Sequence, residues 1–167
     1  MTMEQVHILL DFKLLLLLGC ANTMPIVAFH LCKDRFSAPI DLGRNFLDGR
    51  PIFGPHKTWR GLVASVIGTW LAAIILHVDL VLGVLLALWS MVGDMIASFI
   101  KRRLGLKSGA RCTGVDQVIE ALLPLVILKG RFGITWIDCF IITALFVLLE
   151  IVLSPFFFKI GFRKNPY

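Results

Sequence analysis

LVLGVLLALWSMVGDMIASFI, residues Leu80–Ile100, is an apolar run broken by one charge, Asp94. A helix needs ~20 apolar residues to cross the hydrocarbon core of a bilayer, and this run is long enough. Three further stretches have the same character: Leu14 to Cys32, Gly61 to Val78, and Ile134 to Phe158, the last interrupted by Asp138 and Glu150. A fifth, Val115 to Leu128, crosses only by borrowing flanking residues. The composition agrees, with 57% hydrophobic residues against 17% charged and a mean hydropathy of +0.85. Such a chain is not a water-soluble domain; its solvent is lipid. The expected fold is all-α, a single polytopic membrane domain over residues 1–167 with about five transmembrane helices. The first stretch resembles a signal peptide in length alone. Lys13 is the only base before it, Glu4 and Asp11 offset that base, and no small-residue cleavage pattern follows, so it is expected to stay as a helix.

The 17 Lys and Arg residues give a net charge of +6 and are unevenly distributed. With five spans, Lys33, Arg35, Arg44, Arg50, Lys57 and Arg60 share one face with Lys101, Arg102, Arg103, Lys107 and Arg111, and with the tail bases Lys159, Arg163 and Lys164. Only Lys13, Lys129 and Arg131 fall on the other. The positive-inside rule makes the basic face cytoplasmic, with the N-terminus outside and the C-terminus inside. Loops 33–60 and 101–114 are then the places for chemistry. Their field suits anionic lipid headgroups and nucleotide phosphates alike, although bases that only set topology would be distributed in the same way. Cys20, Cys32, Cys112 and Cys139 are isolated in sequence and are assigned no chemistry. His30 and His56 are read as interfacial.

Asp94 decides where the chemistry lies, because an ionised carboxylate inside a membrane helix is costly unless something receives it. At a spacing of three or four it belongs to a stripe of Ser90, Asp94, Ser98 and Lys101, which must face protein or water. From a helix end at Ile100, Asp94 is roughly 9 Å deep at ~1.5 Å per residue, and Glu120, counted inward from Val115, is roughly 8 Å deep. Antiparallel neighbours would therefore gather Asp94, Glu120 and Asp116. Three carboxylates repel unless a cation lies among them, and hard oxygen donors favour Mg²⁺. Other readings stay open: an ion pair with a buried Lys or Arg for Asp94, a helix cap for Asp116, and pairing with Arg111 or another base for Glu120. In the first loop, Gly43, Gly49, Gly54, Pro51 and Pro55 permit turns that direct Lys57, Thr58 and Arg60 toward one anion at the start of a helix. A charged interfacial loop anchored by Trp59 would look similar.

The ordered set Pro39-Ile40-Asp41-Leu42-Gly43, Asn45-Phe46-Leu47-Asp48-Gly49-Arg50, Lys57-Thr58-Trp59-Arg60-Gly61, Gly93-Asp94 and Ser98-Phe99-Ile100-Lys101-Arg102-Arg103-Leu104-Gly105 closely resembles the archaeal CDP-archaeol synthases. Asn22 and Pro25 look like that family's Asn and Pro in the first span. Ser98 to Arg102 is also similar to the Ser-x-x-Lys-Arg element of the wider phosphatidate cytidylyltransferases. The resemblance implies transfer of CMP from CTP to an unsaturated archaeal ether-lipid phosphate, 2,3-di-O-geranylgeranylglycerol 1-phosphate, with Mg²⁺ and release of pyrophosphate. Where the family reads Asp-Gln-x-Asp, this chain has Asp116-Gln117-Val118-Ile119-Glu120, its second acid displaced by one residue, about 100° around a helix.

The metal ligands implied are Asp94, Asp116 and Glu120. Asp94, Asp116, Lys57, Arg60 and Lys101 are the expected catalytic set. Asn22, Pro25, Asp41, Asp48, Arg50, Thr58, Ser98, Arg102 and Gln117 are the expected substrate-binding set, with loop ordering an equal alternative for Asp41, Asp48 and Arg50. Pro25 frees a carbonyl near Ala21 that could accept from cytosine's amino group; a plain proline kink with Asn22 bonded between helices is the competing account. Glu150 has three open placements: a lateral lipid entrance, a second subunit of a homo-oligomer, or a protonated hydrogen-bonding group. The expected partners are CTP, the lipid phosphate and the bilayer, with no nucleic-acid polymer. A CDP-alcohol phosphotransferase would continue its Asp-Gly motif differently from Asp48-Gly49-Arg50-Pro51. A small transporter or channel would explain Asp94 and Glu150 but not the two basic loops, and a structural subunit would leave the carboxylates without purpose.

Overall fold

Backbone polar groups in lipid must be satisfied within their own segment, which favours helices wherever the apolar runs extend. The computed structural model describes residues 3–106 and 114–159, with side chains over 7–106 and 114–153. It contains α1 (Met3–Cys32), α2 (Trp59–Ile75), α3 (Leu80–Arg103), α4 (Val115–Phe132) and α5 (Trp136–Lys159). The five helices bear out the all-α expectation, and no strand occurs among the described residues. Helix α1 begins at Met3, well before the apolar run at Leu14. Among the described residues, three helical stretches are long and apolar enough to cross a membrane: His7–Cys32, Leu80–Arg103 and Trp136–Leu153. Helix α2 has 17 residues, about 26 Å at ~1.5 Å each, slightly less than the ~30 Å hydrocarbon core. Helix α4 carries Asp116, Glu120, Lys129 and Arg131 and is the most polar of the five.

Local chemistry sets the helix ends. Thr58 caps α2 by accepting the Gly61 N–H at 3.2 Å, and Asp79 caps α3 through the Leu82 N–H at 2.9 Å. Thr135 and Asp138 cap α5 reciprocally, at 2.7 and 3.2 Å. Helix α3 closes with Gly105 at φ +77°, where the Gly105 N–H reaches the Arg102 carbonyl and the Leu106 N–H reaches that of Lys101. That double closure requires the left-handed residue that glycine supplies cheaply.

Successive helices pack antiparallel through small residues, as is common where backbones approach in lipid. Gly61 lies against Pro25, Gly83 against Ala73 and Gly93 against the backbone of Ile119 and Glu120. Leu14, Leu17 and Leu18 of α1, Leu86 of α3, Leu125 of α4 and Ile142 of α5 form the buried centre. Val63, Ile67 and Leu71 of α2 and Phe140, Leu148 and Val152 of α5 stay exposed, as a lipid-facing surface would. The C-terminal ends of α1 and α3 and the N-terminal ends of α2 and α4 consequently meet at one end of the bundle, with linker 33–58 across them.

Candidate active site

The linker has little regular structure, and its shape comes from a few long-range bonds. Ile40 N–H donates to the Lys57 carbonyl at 2.8 Å, and Trp59 N–H to that of Ala38 at 3.1 Å, so the strip entering α2 lies beside residues 38–40. Asp41 ties the intervening turns by accepting the N–H groups of Gly43 (3.0 Å), Phe53 (2.9 Å) and Gly54 (2.8 Å). Burial opposes its charge, but these donors outweigh burial and hold the carboxyl below the ordinary aspartate value. Asp41 is thus a loop organiser, and its role follows the ordering alternative. Asp48 and Arg50 follow it too, since Asp48 pairs with Arg103 at 2.9 Å and Arg50 donates to the carbonyls of Arg102 and Arg103.

The linker delivers Lys57 to Asp94, and the two form a hydrogen-bonded ion pair with side chains 24% and 18% exposed. The Glu120 carboxyl of α4 lies against the same Asp94, close enough for the two to share a proton. Burial pulls the Lys57 ammonium down, but Asp94, Glu120 and Asp116 together raise it above the ordinary lysine value, so it is charged at neutral pH. Lys101 of α3 holds Asp116 of α4 at 2.6 Å, with side chains 11% and 10% exposed. Arg102 lies within electrostatic reach of Asp116. Gly93 allows this meeting of α3 and α4, because a Cβ there would come within 2.7 Å of the Ile119 carbonyl oxygen.

The expected cluster of three carboxylates is therefore corrected in one respect. Asp94 and Glu120 come together, whereas Asp116 turns to Lys101, and two lysines supply the positive charge that balances the acids. The alternative for Asp94, an ion pair with a buried lysine, is the arrangement observed. The one-residue displacement of Glu120 does not take it out of the site, since it faces Asp94. Among the described residues, no three His, Cys, Asp or Glu side chains converge as a ready set of metal ligands. Arg111, the other suggested partner of Glu120, lies outside the described residues, as do Lys107 and Cys112.

Beside the Lys57–Asp94 pair is an open cleft of about 170 Å³. Its walls include Pro25 from α1, Lys33, His56, Lys57 and Thr58 from the linker, Arg60 and Gly61 from α2, and Asp94 from α3. Its volume is below the ~300 Å³ of a typical enclosed ligand pocket, so it accommodates a phosphate chain more readily than a whole nucleotide. Lys57 and Thr58 line it as the turn chemistry predicts, and Gly61 lies beside them. Arg60 also borders it, but its guanidinium donates to the carbonyls of Lys33 and Arg35 at 2.6 Å each, so its planar fork is engaged at the end of α1. Asn22 donates to the Leu18 carbonyl at 3.1 Å and to Ser90 Oγ at 3.3 Å, the inter-helix bond of the competing account. The carbonyl that Pro25 frees, Ala21, accepts from Ser65 Oγ at 2.8 Å, and Pro25 itself lines the cleft. Ser98 is buried in α3. Gln117 is buried and accepts the Gly114 N–H at 2.7 Å, organising the start of α4.

Sequence reasoning overlooked Lys33, Asp34 and His56 as cleft residues; Lys33 and Asp34 immediately follow the last residue of α1, a position that could have indicated them. It also gave Arg103 no role. Glu150 of α5 is half-buried and lies within electrostatic reach of Glu120.

An all-helical bundle with a cleft at one end, walled by helix termini and by both basic and acidic side chains, defines a membrane-embedded protein whose polar groups gather at that end. The chain belongs to the family whose model is described as CarS-like, CDP-archaeol synthase, which matches residues 7–167. A relative from Saccharolobus islandicus, named CDP-archaeol synthase, is 46% identical over 106 residues, covering 59% of this chain and 63% of its own. The Hyperthermus butylicus protein of the same name is 46% identical over 105 residues, covering 59% of each chain. The chain thus spans less than two thirds of the length of these curated relatives. The Sulfurisphaera tokodaii protein, also so named, is 34% identical over 137 residues, covering 77% of this chain and 81% of its own. A solved structure described as an intramembrane enzyme for archaeal membrane lipid biosynthesis superposes with a TM-score of 0.75 at 28% identity, covering 85% of this chain and 90% of that one.

Proposed function

We propose that this chain transfers CMP from CTP to an unsaturated archaeal ether-lipid phosphate, 2,3-di-O-geranylgeranylglycerol 1-phosphate, giving CDP-archaeol and pyrophosphate at the cytoplasmic face of the cell membrane. The observation that carries the reading is the Lys57 ammonium, seated on Asp94 at the mouth of a cleft that opens at the N-terminal end of α2. The family and the named relatives support it. A transporter would use Asp94 as an ion-path acid, but has no need of a cleft that gathers Lys33, Lys57 and a helix N-terminus.

A phosphate monoester is already ionised near neutral pH, so no general base is needed. An oxygen of the lipid phosphate attacks the α-phosphorus of CTP; that P–O bond forms as the bond to the β-phosphate breaks, and pyrophosphate leaves with the electron pair. The obstacle is repulsion between anions, so the protein contributes position and positive charge. Lys57 and Lys33, with the positive end of the α2 dipole beside them, receive phosphate oxygens, and Lys101 and Arg102 extend the field behind them. A phosphate that draws Lys57 toward the cleft also releases Asp94.

The donor chemistry fits Mg²⁺. Asp94 and Glu120 are adjacent hard oxygen donors, and Mg²⁺ typically takes one or two carboxylates together with substrate phosphates and water instead of an all-protein cage. Asp94 and Glu120 would hold it, with Asp116 as the nearby third acid, and the ion would supply Lewis-acid neutralisation of the triphosphate. The test is pyrophosphate release by purified protein in detergent, given CTP, Mg²⁺ and the lipid phosphate. Release that needs all three supports the reading; CTP hydrolysis without lipid, or a folded protein inert to every ether-lipid phosphate, contradicts it.

A further inference from the structure

The linker and α3 are joined by an exchange that the proposed chemistry does not use. Arg103 Nη2 donates to the carbonyls of Arg50 and Pro51 at 3.2 and 2.7 Å, while Arg50 Nη1 donates to the carbonyls of Arg102 and Arg103 at 3.2 and 2.7 Å. Each arginine thus binds the other's backbone. Asp48 adds an ion pair to Arg103 at 2.9 Å. The Arg103 guanidinium also lies 4.9 Å from the ring centre of Phe46 and 4.8 Å from that of Phe99, and those two rings meet edge to face at 5.2 Å.

We propose that Arg50 and Arg103 are positioning residues, forming a reciprocal clamp that fixes the linker on the end of α3 and so holds Lys57 against Asp94. Both partners of the Lys57–Asp94 pair are set by the elements the clamp joins: Lys57 rides on the linker, and Asp94 on α3. The clamp uses the terminal carbonyls of α3, which carry the negative end of its dipole: Arg50 adds a second donor to the Arg102 carbonyl, already bonded to the Gly105 N–H, and caps that of Arg103. It also needs the planar fork of arginine, because one ammonium cannot reach two carbonyls, a carboxylate and two ring faces in fixed directions. The same bonds explain why Asp48 and Arg50, expected at the substrate, have their polar groups committed elsewhere. Lys101 provides an internal contrast, because its partner Asp116 lies on α4 and owes nothing to the linker.

The inference rests on the proposed function only for its effect on turnover; its test needs neither nucleotide nor lipid. The wild-type protein and Arg103→Ala are pulsed in detergent with a small acetylating reagent, and modification of each lysine is followed by mass spectrometry. Loss of the clamp should raise Lys57 acetylation about tenfold, the effect expected from losing one hydrogen bond to a charged donor, while Lys101 stays at its wild-type rate. Phe46→Ala, which removes one ring from beneath the guanidinium, is the second variant should Arg103→Ala not fold, and the same contrast between the two lysines is expected. Unchanged Lys57 acetylation would overturn the clamp. A parallel rise at Lys57 and Lys101 would also overturn it, by assigning Arg103 a general stabilising role.

Discussion

Gly93→Ala tests the meeting of α3 and α4 on which the site depends. A Cβ built on Gly93 lies 2.7 Å from the Ile119 carbonyl oxygen, 3.0 Å from Glu120 Cα and 3.2 Å from the Ile119 carbonyl carbon, against 3.4 Å for the onset of ordinary contact. All three atoms are backbone, so no side-chain rotation relieves the clash, and α4 must retreat by about 0.7 Å. Overpacking of this kind costs about 1–3 kcal/mol. Glu120 and Asp116 ride on α4, so the retreat weakens the Glu120 bond to Asp94 and stretches the 2.6 Å Lys101–Asp116 contact. Sub-ångström misplacement in a reaction that depends on positioning should lower turnover by about ten- to a hundredfold. Gly19→Ala is the matched control, since nothing lies within 4 Å of a Cβ there. Thermal unfolding in detergent and pyrophosphate release, measured on both variants, separate the two effects. Wild-type stability and turnover in Gly93→Ala would refute the close approach and the shared Asp94–Glu120 site with it.

Three other substitutions follow from the site. Asp94→Asn should abolish turnover while leaving membrane insertion and the helical circular dichroism spectrum intact; retained activity would end the role of this acid. Lys57→Ala should raise the CTP concentration needed for half-maximal rate about tenfold or more, as loss of a charge-assisted phosphate contact implies, and an unchanged requirement would remove Lys57 from the nucleotide site. Asp41→Asn should cost about 1–2 kcal/mol at neutral pH, since three N–H donors lose an ionised acceptor. Because the folded carboxyl lies below its ordinary value, its contribution is full above that value and is lost as pH falls through the depressed one. The stability gap between wild type and Asp41→Asn should therefore close in acid; a gap independent of pH would contradict this account.

Much of the bundle was legible because helical periodicity is local. The stripe Ser90, Asp94, Ser98 and Lys101 faces inward, with Ser90 and Ser98 fully or nearly fully buried, and the depth count correctly matched Asp94 with Glu120. The linker was far less legible. No period connects Lys57 to Asp94 or Asp48 to Arg103, and each of those bonds depends on the path of a segment shaped by turns and long-range acceptors. Charge composition showed that bases would gather at one end. It could not tell which bases would face a ligand and which, like Arg50, Arg60 and Arg103, would be committed to backbone carbonyls. The alternative accounts for Asp94, Asn22 and Pro25 were physically sound, and the structure realises them alongside the site instead of in place of it.

The most direct test of the central claim follows the individual phosphorus atoms of CTP. Purified protein receives Mg²⁺, the ether-lipid phosphate and CTP labelled at either the α- or the β-phosphorus, with chelator and Asp94→Asn as controls. The account predicts that α-label enters the lipid, that β-label leaves only as pyrophosphate, and that both transfers stop with chelator and in Asp94→Asn. Label appearing as inorganic phosphate, or no transfer by folded protein that binds CTP, would contradict it.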